Sequence, residues 1–239
     1  MHQWWPAQNK QLLLLTIDDH SGLHVQGSFV EADTTWNHFL HFRRAFQQWG
    51  IPEIIYTDGL SLFGPSSAHD HMDPKSEFQR ALRGLKVAHL VAPTPQAKGK
   101  IEHRFGTFQG RMVALLAHAK ISSWLEADKI LQMEIDRQNH KTCRSIQRIP
   151  AEIWEQQTDD HTHKMRAVPP DPMLDLHLSL RLSRRVNNDQ TIDFEGVNYP
   201  IANTLKRSVA IIHHPNQRFW IVEHLPKDIW PPILGAFTL

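Results

Sequence analysis

A single cysteine, Cys143, stands in 239 residues, so no intrachain disulfide can staple the fold. A lone thiol fits a reducing compartment, and a cytoplasmic location is expected. Long apolar runs are also missing. No stretch approaches the roughly 20 residues that cross a bilayer, and MHQWWPAQNK lacks the charged and apolar regions of a secretory signal, so no membrane partner is expected. Neither charge dominates: 26 Lys and Arg face 25 Asp and Glu, and a formal net charge of +1 gives no argument for a polyanionic partner. There is no internal repeat and no low-complexity tract. What is present is apolar, 41% of the residues, which suffices for one sizeable core and a small second domain.

The distribution of charge says more than its sum. Between Lys75 and Lys120 nine basic residues stand against two acids, Glu77 and Glu102. That is a local cationic field of the kind phosphate backbones select.

Periodicity organises the chain. Leu12 to Ile17 and Leu23 to Val30 read as a hairpin around the turn DDHSG. Asp33 and Thr34 can cap a helix whose apolar face recurs at Trp36, Phe39, Leu40, Phe42 and Phe46, until Gly50 and Pro52 end it. A strand, EIIYTD, follows. Glu77 to Leu85 is a short helix, VAHLVA a strand and PTPQAKG a loop. From Lys100 to about His118 runs the most regular helix, with Ile101, Phe105, Phe108, Met112, Leu115 and Leu116 on one face and Lys100, Arg104 and Arg111 beside that stripe. Ser123 to Gln138 and Pro150 to Gln157 are two further helices. After the stiff segment VPPDP, the period changes to two, and short strands separated by NND, EG and PNQ describe a small barrel. The expected organisation is a core with a helical extension over 1–158, a linker over 159–173, the barrel over 174–225 and a tail over 226–239. Alternation of strands and helices makes the core a mixed α/β sheet domain. Ligands of such sheets sit beyond the strand ends.

Asp58 closes a strand in IIYTDGLSLF, and Glu102 stands just after the KG pair. Two carboxylates meeting at one rim of the sheet repel unless a cation lies between them. Mg²⁺ takes oxygen ligands, commonly one or two carboxylates with substrate phosphate oxygens. Beside a basic helix edge, this supports metal-assisted phosphoryl transfer on a nucleic acid, with two cations about 3.5 to 4 Å apart serving the attacking and leaving oxygens. Ordinary turn chemistry at Asp58 and dipole complementation at Glu102 explain the same residues equally simply.

A wider set of motifs bears on that choice. LLLLTIDDHSGLHVQGSFVEADT, GIPEIIYTDGLSLF, PTPQAKGKIEHRFGTFQGRM and NHKTCRSIQRIPAEIW follow one another from about His2 to Glu155 in an order that resembles the integrase-like DDE transposases of bacterial insertion sequences. The register of proline, glycine and acid in PQAKGKIE is the most specific part. The resemblance implies a ribonuclease H-like core followed by a small SH3-like barrel. It implies Mg²⁺- or Mn²⁺-dependent DNA strand cleavage and strand transfer, with Asp58 and Glu102 as catalytic metal ligands. It also implies DNA partners, transposon ends and target, and a homo-oligomer assembled on them. Gln96, Lys98, Lys100, Arg104 and Arg111 are the candidate DNA contacts; solvated polarity on a helix edge or loop is the plainer account of each.

The family's first catalytic Asp falls at or before Met1 by this match. Asp18 and Asp19 match a pair on the family's second strand instead, so neither is assigned as that acid, although Asp18 is the nearest substitute. The alternative is therefore an inactive transposase remnant acting as a DNA-binding or assembly module. His69 to Asp73, HDHMD, contains transition-metal ligand types but reads better as exposed loop. Arg181, Arg184 and Arg185 can grip DNA from the barrel, although the barrel's acids nearly balance its bases.

Overall fold

The computed structural model describes residues 11–57, 63, 76–91, 95–121, 123–143, 147–159, 164–202, 204–214, 217–223 and 233–238; the side chains of 95–101, 103, 104 and 159 fall outside that description. β1 (Leu12–Ile17) and β2 (His24–Val30) pair antiparallel, Leu12 opposite Val30. Their turn is built by Asp18, whose Oδ2 accepts from the Ser21 amide at 2.7 Å and the Ser21 hydroxyl at 2.6 Å, and by Gly22 at φ 76°. Asp18 is thereby a turn residue.

Helix α1 (Thr35–Trp49) starts where Thr34 Oγ1 accepts from the Asn37 amide. Gly50, at φ 95°, stops it and donates to the Phe46 carbonyl. The buried face is His38, Phe39, His41, Phe42, Ala45 and Phe46; of the expected apolar positions Phe39, Phe42 and Phe46 are on it, Trp36 is half-buried and Leu40 is exposed. β3 (Ile54–Thr57) and β4 (Ala88–Val91) are parallel in the register Ile54 to Ala88 and Thr57 to Val91, joined through α2 (Glu77–Gly84), which Ser76 caps. Phe39, Phe42, Phe46, Ile55, Phe78 and Leu82 form one core between these elements.

Helix α3 runs from Pro95 to His118, five residues earlier than the expected start at Lys100. Proline is well suited to a first helical position, because its missing N–H has no intrahelical partner there. PTPQAKG is therefore mostly helix, and Gln96 lies on it. α4 (Trp124–Asn139), capped by Ser123, and α5 (Pro150–Asp159) follow. Leu13, Phe108, Met112, Leu116, Leu131 and Ile135 make a second core that holds α3 and α4 against the first hairpin. A Cβ on Gly27 would lie 2.7 Å from Ile135 Cδ1, so α4 packs closely over β2 at that position and a larger residue would require the Ile135 side chain to shift.

The segment read as a linker is pinned: Ile51 and Arg166 exchange backbone hydrogen bonds, and the Arg166 guanidinium donates to the Leu85 carbonyl at 2.9 Å. Met173–His177 is then a short helix, α6, so the first strand, read from Leu176 in LHLSLRLSRRV, begins only at Leu180. The α6 residues from Leu174 to His177 are all buried, so alternation there carried no information about strand. β5 (Leu180–Arg185), β8 (Ser208–His213), β9 (Arg218–Glu223) and β10 (Ile233–Thr238) form a four-stranded sheet in the order β10-β9-β8-β5, and β6 (Thr191–Phe194) with β7 (Val197–Pro200) forms a separate hairpin. The hairpin turns at Glu195 and Gly196, both at positive φ, as the EG signal predicts. Among the described strands no closed barrel forms, and β10 lies in the stretch read as a tail. β8 and β9 are buried on both faces: Val209, Ile211, Phe219 and Ile221 meet the hairpin, while Ala210, Ile212, Trp220 and Val222 meet Leu176.

A buried carboxylate joins this sheet to the core. Asp175, 1% exposed, accepts from Arg43 Nε of α1 at 2.6 Å, with His214 Nε2 at 3.6 Å and Arg218 Nη1 at 3.7 Å. Arg80 of α2 adds bonds to the His177 and Ser179 carbonyls.

Candidate active site

Parallel strands end at the same edge of their sheet, and β3 and β4 end level, Thr57 opposite Val91. Asp58 is the next residue after Thr57 along the chain and lies outside the described residues, as does His69 to Asp73. Pro95 starts α3 four positions after Val91, and Glu102 stands in the second turn of that helix rather than its first. Its side chain is exposed.

Behind this rim, Thr57 Oγ1 and His89 Nε2 are 2.8 Å apart. Burial lowers the His89 pKa, and its ring packs against Phe78 at 5.6 Å between centroids. The end of β3 is thus held by a side-chain bond to β4 as well as by the backbone ladder.

The candidate DNA contacts divide into two groups. Gln96, Lys98, Lys100 and Arg104 all lie on the first part of α3, the stretch that carries Glu102. Arg111, further along, is committed elsewhere: its Nε donates to Glu134 Oε1 of α4 at 2.5 Å. Glu134, 3% exposed, also accepts from Arg137 at 2.6 and 2.7 Å and from Gln138 at 2.6 Å. Burial pushes this carboxyl upward, yet the bonds from Arg137, Gln138 and Arg111 outweigh it and hold the pKa below the usual carboxylate value. Sequence reasoning passed over Glu134. The available signal was an acid set between Leu131 and Ile135 on the apolar face of an amphipathic helix.

In the C-terminal sheet, Arg181 is drawn down to about 10 by burial and by the neighbouring Arg80 charge, and Arg184 lies 5.7 Å over the Phe194 ring. Among the described residues no group of three or more His, Cys, Asp or Glu is arranged to hold a metal ion, and no helix is long and apolar enough to cross a membrane. The expected ligands, two carboxylates with no sulfur, are donors of the type that would suit a hard divalent cation such as Mg²⁺.

No family model matches the chain. Two relatives do: a putative transposase, y4bF, of Sinorhizobium fredii (strain NBRC 101917 / NGR234), 28% identical over 200 residues, and the transposase for insertion sequence IS1202 of Streptococcus pneumoniae, 28% identical over 144 residues. The chain is similar in sequence to insertion-sequence transposases. The matches cover 81% and 59% of it, but only 40% and 30% of those relatives. Among solved structures, a chain of the simian T-cell lymphotropic virus intasome in complex with PP2A regulatory subunit B56 gamma shares the fold, with a TM-score of 0.51 and 17% identity over 84% of this chain and 66% of that one. The catalytic core domain of BIV integrase gives a TM-score of 0.49 at 17% identity, over 66% of this chain and 91% of that one. The likeness to the intasome chain is one of fold, and it fits a ribonuclease H-like α/β core.

Proposed function

We propose that this chain is a polynucleotidyl transferase that cleaves a DNA strand and joins it to another, with Asp58 and Glu102 as ligands of Mg²⁺ or Mn²⁺. The observation that carries the reading is topological: β3 and β4 end level and parallel, and the chain leads from one directly into Asp58 and from the other into the helix of Glu102. A divalent ion bound there supplies positive charge to the phosphoryl oxygens and makes a nucleophile of water or of a 3′ hydroxyl at neutral pH.

The chain's own residues do the rest. Asp58 and Glu102 fix the place of the ion. Lys98, Lys100 and Arg104, on the stretch of α3 around Glu102, take the phosphates of donor or target strand, and Gln96 a base or phosphate near the rim. Such contacts position DNA without reading its sequence. Arg111 is left out of this group because Glu134 engages it. The small C-terminal sheet plays the part of the barrel in an SH3-like arrangement, and the working unit is a homo-oligomer on paired DNA ends.

The test is strand cleavage of end-labelled DNA carrying the element's flanking ends, in Mg²⁺ and in Mn²⁺, by the chain and by its Asp58→Asn and Glu102→Gln variants. Metal-dependent nicks lost in both variants support the reading. Nicks that survive either change refute it. Tight DNA binding with no cleavage by any of the three points to the assembly module instead.

A further inference from the structure

Along α3, Phe108, Met112 and Leu116 are within the second core and Phe105 packs against it, whereas Glu102, Gly106, Thr107 and Gly110 are exposed. A Cβ at Gly106 or Gly110 would meet nothing within 4 Å among the described residues, so no close packing there requires these glycines, and both lower the intrinsic stability of the helix that carries Glu102. Apolar contact resists separation of α3 from α4 but is non-directional. A charge-assisted hydrogen bond adds a directional restraint, because it fails when donor and acceptor shift.

The single hydrogen bond from Arg111 Nε to Glu134 Oε1 is such a restraint. It lies nine residues past Glu102, about 13 Å along the helix. It crosses from α3 to α4, and its carboxylate is itself fixed by Arg137 and Gln138. α4 in turn is seated on β2 at Gly27, where Gln132 Nε2 donates to the Gly27 carbonyl at 3.2 Å and Asn139 bonds both His24 backbone groups. A rigid path therefore runs from the first hairpin through α4 to α3.

We propose that Glu134, acting through Arg111, is a positioning residue for Glu102: it sets the register and rotation of α3, and so the place of the Glu102 carboxylate at the rim. This rests on the reading of Glu102 as a metal ligand. The same pair explains why an acid is retained on the buried face of α4 where a leucine would pack more simply.

Two measurements test it without requiring turnover. The first is the distance distribution between spin labels at Glu102→Cys and Lys129→Cys in a Cys143→Ser background, by double electron–electron resonance. The second is Mn²⁺ affinity, read from the signal of free Mn²⁺, in the otherwise unaltered chain. Arg111→Met is the main variant, since Glu134 then keeps Arg137 and Gln138; Glu134→Gln is the second. The expected result is a clearly broadened distance distribution and Mn²⁺ binding weakened by about tenfold or more, with an unchanged far-ultraviolet circular dichroism spectrum. An unchanged distribution overturns the proposal. So does parental Mn²⁺ affinity in Arg111→Met when Glu102→Gln has lost binding. Parental affinity in Glu102→Gln itself removes the metal-ligand reading of Glu102, and the positioning role with it, whatever the labels report.

Discussion

Asp175 and Glu102 are both helical acids, and the fold treats them in opposite ways. Asp175 is 1% exposed, gripped by Arg43 and faced by His214 and Arg218 at the junction of core and C-terminal sheet. Glu102 is exposed, and no ion pair of it falls among the described residues. A buried charge persists only with partners, and its loss strands them. An exposed carboxylate places no such demand on the fold, which leaves Glu102 available for the metal-binding role proposed for it. The comparison separates acids that hold this protein together from the acid proposed to act.

Asp175→Ala is the largest test of the first half of that contrast. It leaves Arg43 without its carboxylate in the junction, and about 3–5 kcal/mol of unfolding free energy should disappear, read from urea denaturation at unchanged slope. A loss below about 1 kcal/mol would mean the junction is not held by this charge.

Next comes acid. His41 is buried between Ser28 Oγ at 3.0 Å and Thr16 Oγ1 at 2.8 Å, and burial, with the neighbouring His38 and Arg44 charges, depresses its pKa to about 3. The unfolded chain takes up this proton near pH 6.5, the folded chain only near pH 3, so the stabilising effect is complete above about 6.5 and is lost as pH falls towards 3. From pH 7 to pH 4 this residue alone should remove about 3 kcal/mol. His177, lowered to about 4 by burial and by Arg80 and Arg181, acts in the same direction. Denaturation midpoints for the chain and for His41→Asn should show a shallower acid slope in the variant; parallel slopes would remove His41 from the account.

Smaller still, Thr34→Ala removes the N-cap of α1 and should cost about 1 kcal/mol. Smallest of all, Glu102→Gln should leave stability within about 0.5 kcal/mol of the parent, by the same denaturation assay. A larger loss would show that Glu102 serves the fold after all and would erase the contrast with Asp175.

Much of the architecture was legible because local signals agreed. Thr34, Ser76 and Ser123 each cap a helix whose apolar face repeats at three and four residues, and Glu195 and Gly196 turn a hairpin. Legibility failed where burial was complete or polarity was internal. Leu174 to His177 is buried in a short helix, so the strand read from Leu176 to Val186 begins only at Leu180. Pro95 read as loop because proline also punctuates loops, yet it begins α3. Of the site, the strand before Asp58, the helix of Glu102 and the cluster of bases along α3 could be read from pattern. The pairing of Arg111 with Glu134 could not be read, because the two are 23 positions apart and only packing brings them together. Arg43 and Asp175, 132 positions apart, escaped for the same reason.

The most direct test of the account is a Mn²⁺ titration of the chain beside Asp58→Asn and Glu102→Gln, with circular dichroism showing that all three are folded. Both variants should bind the ion about tenfold or more weakly than the parent. Equal affinity in all three folded proteins would contradict a shared site for these two carboxylates.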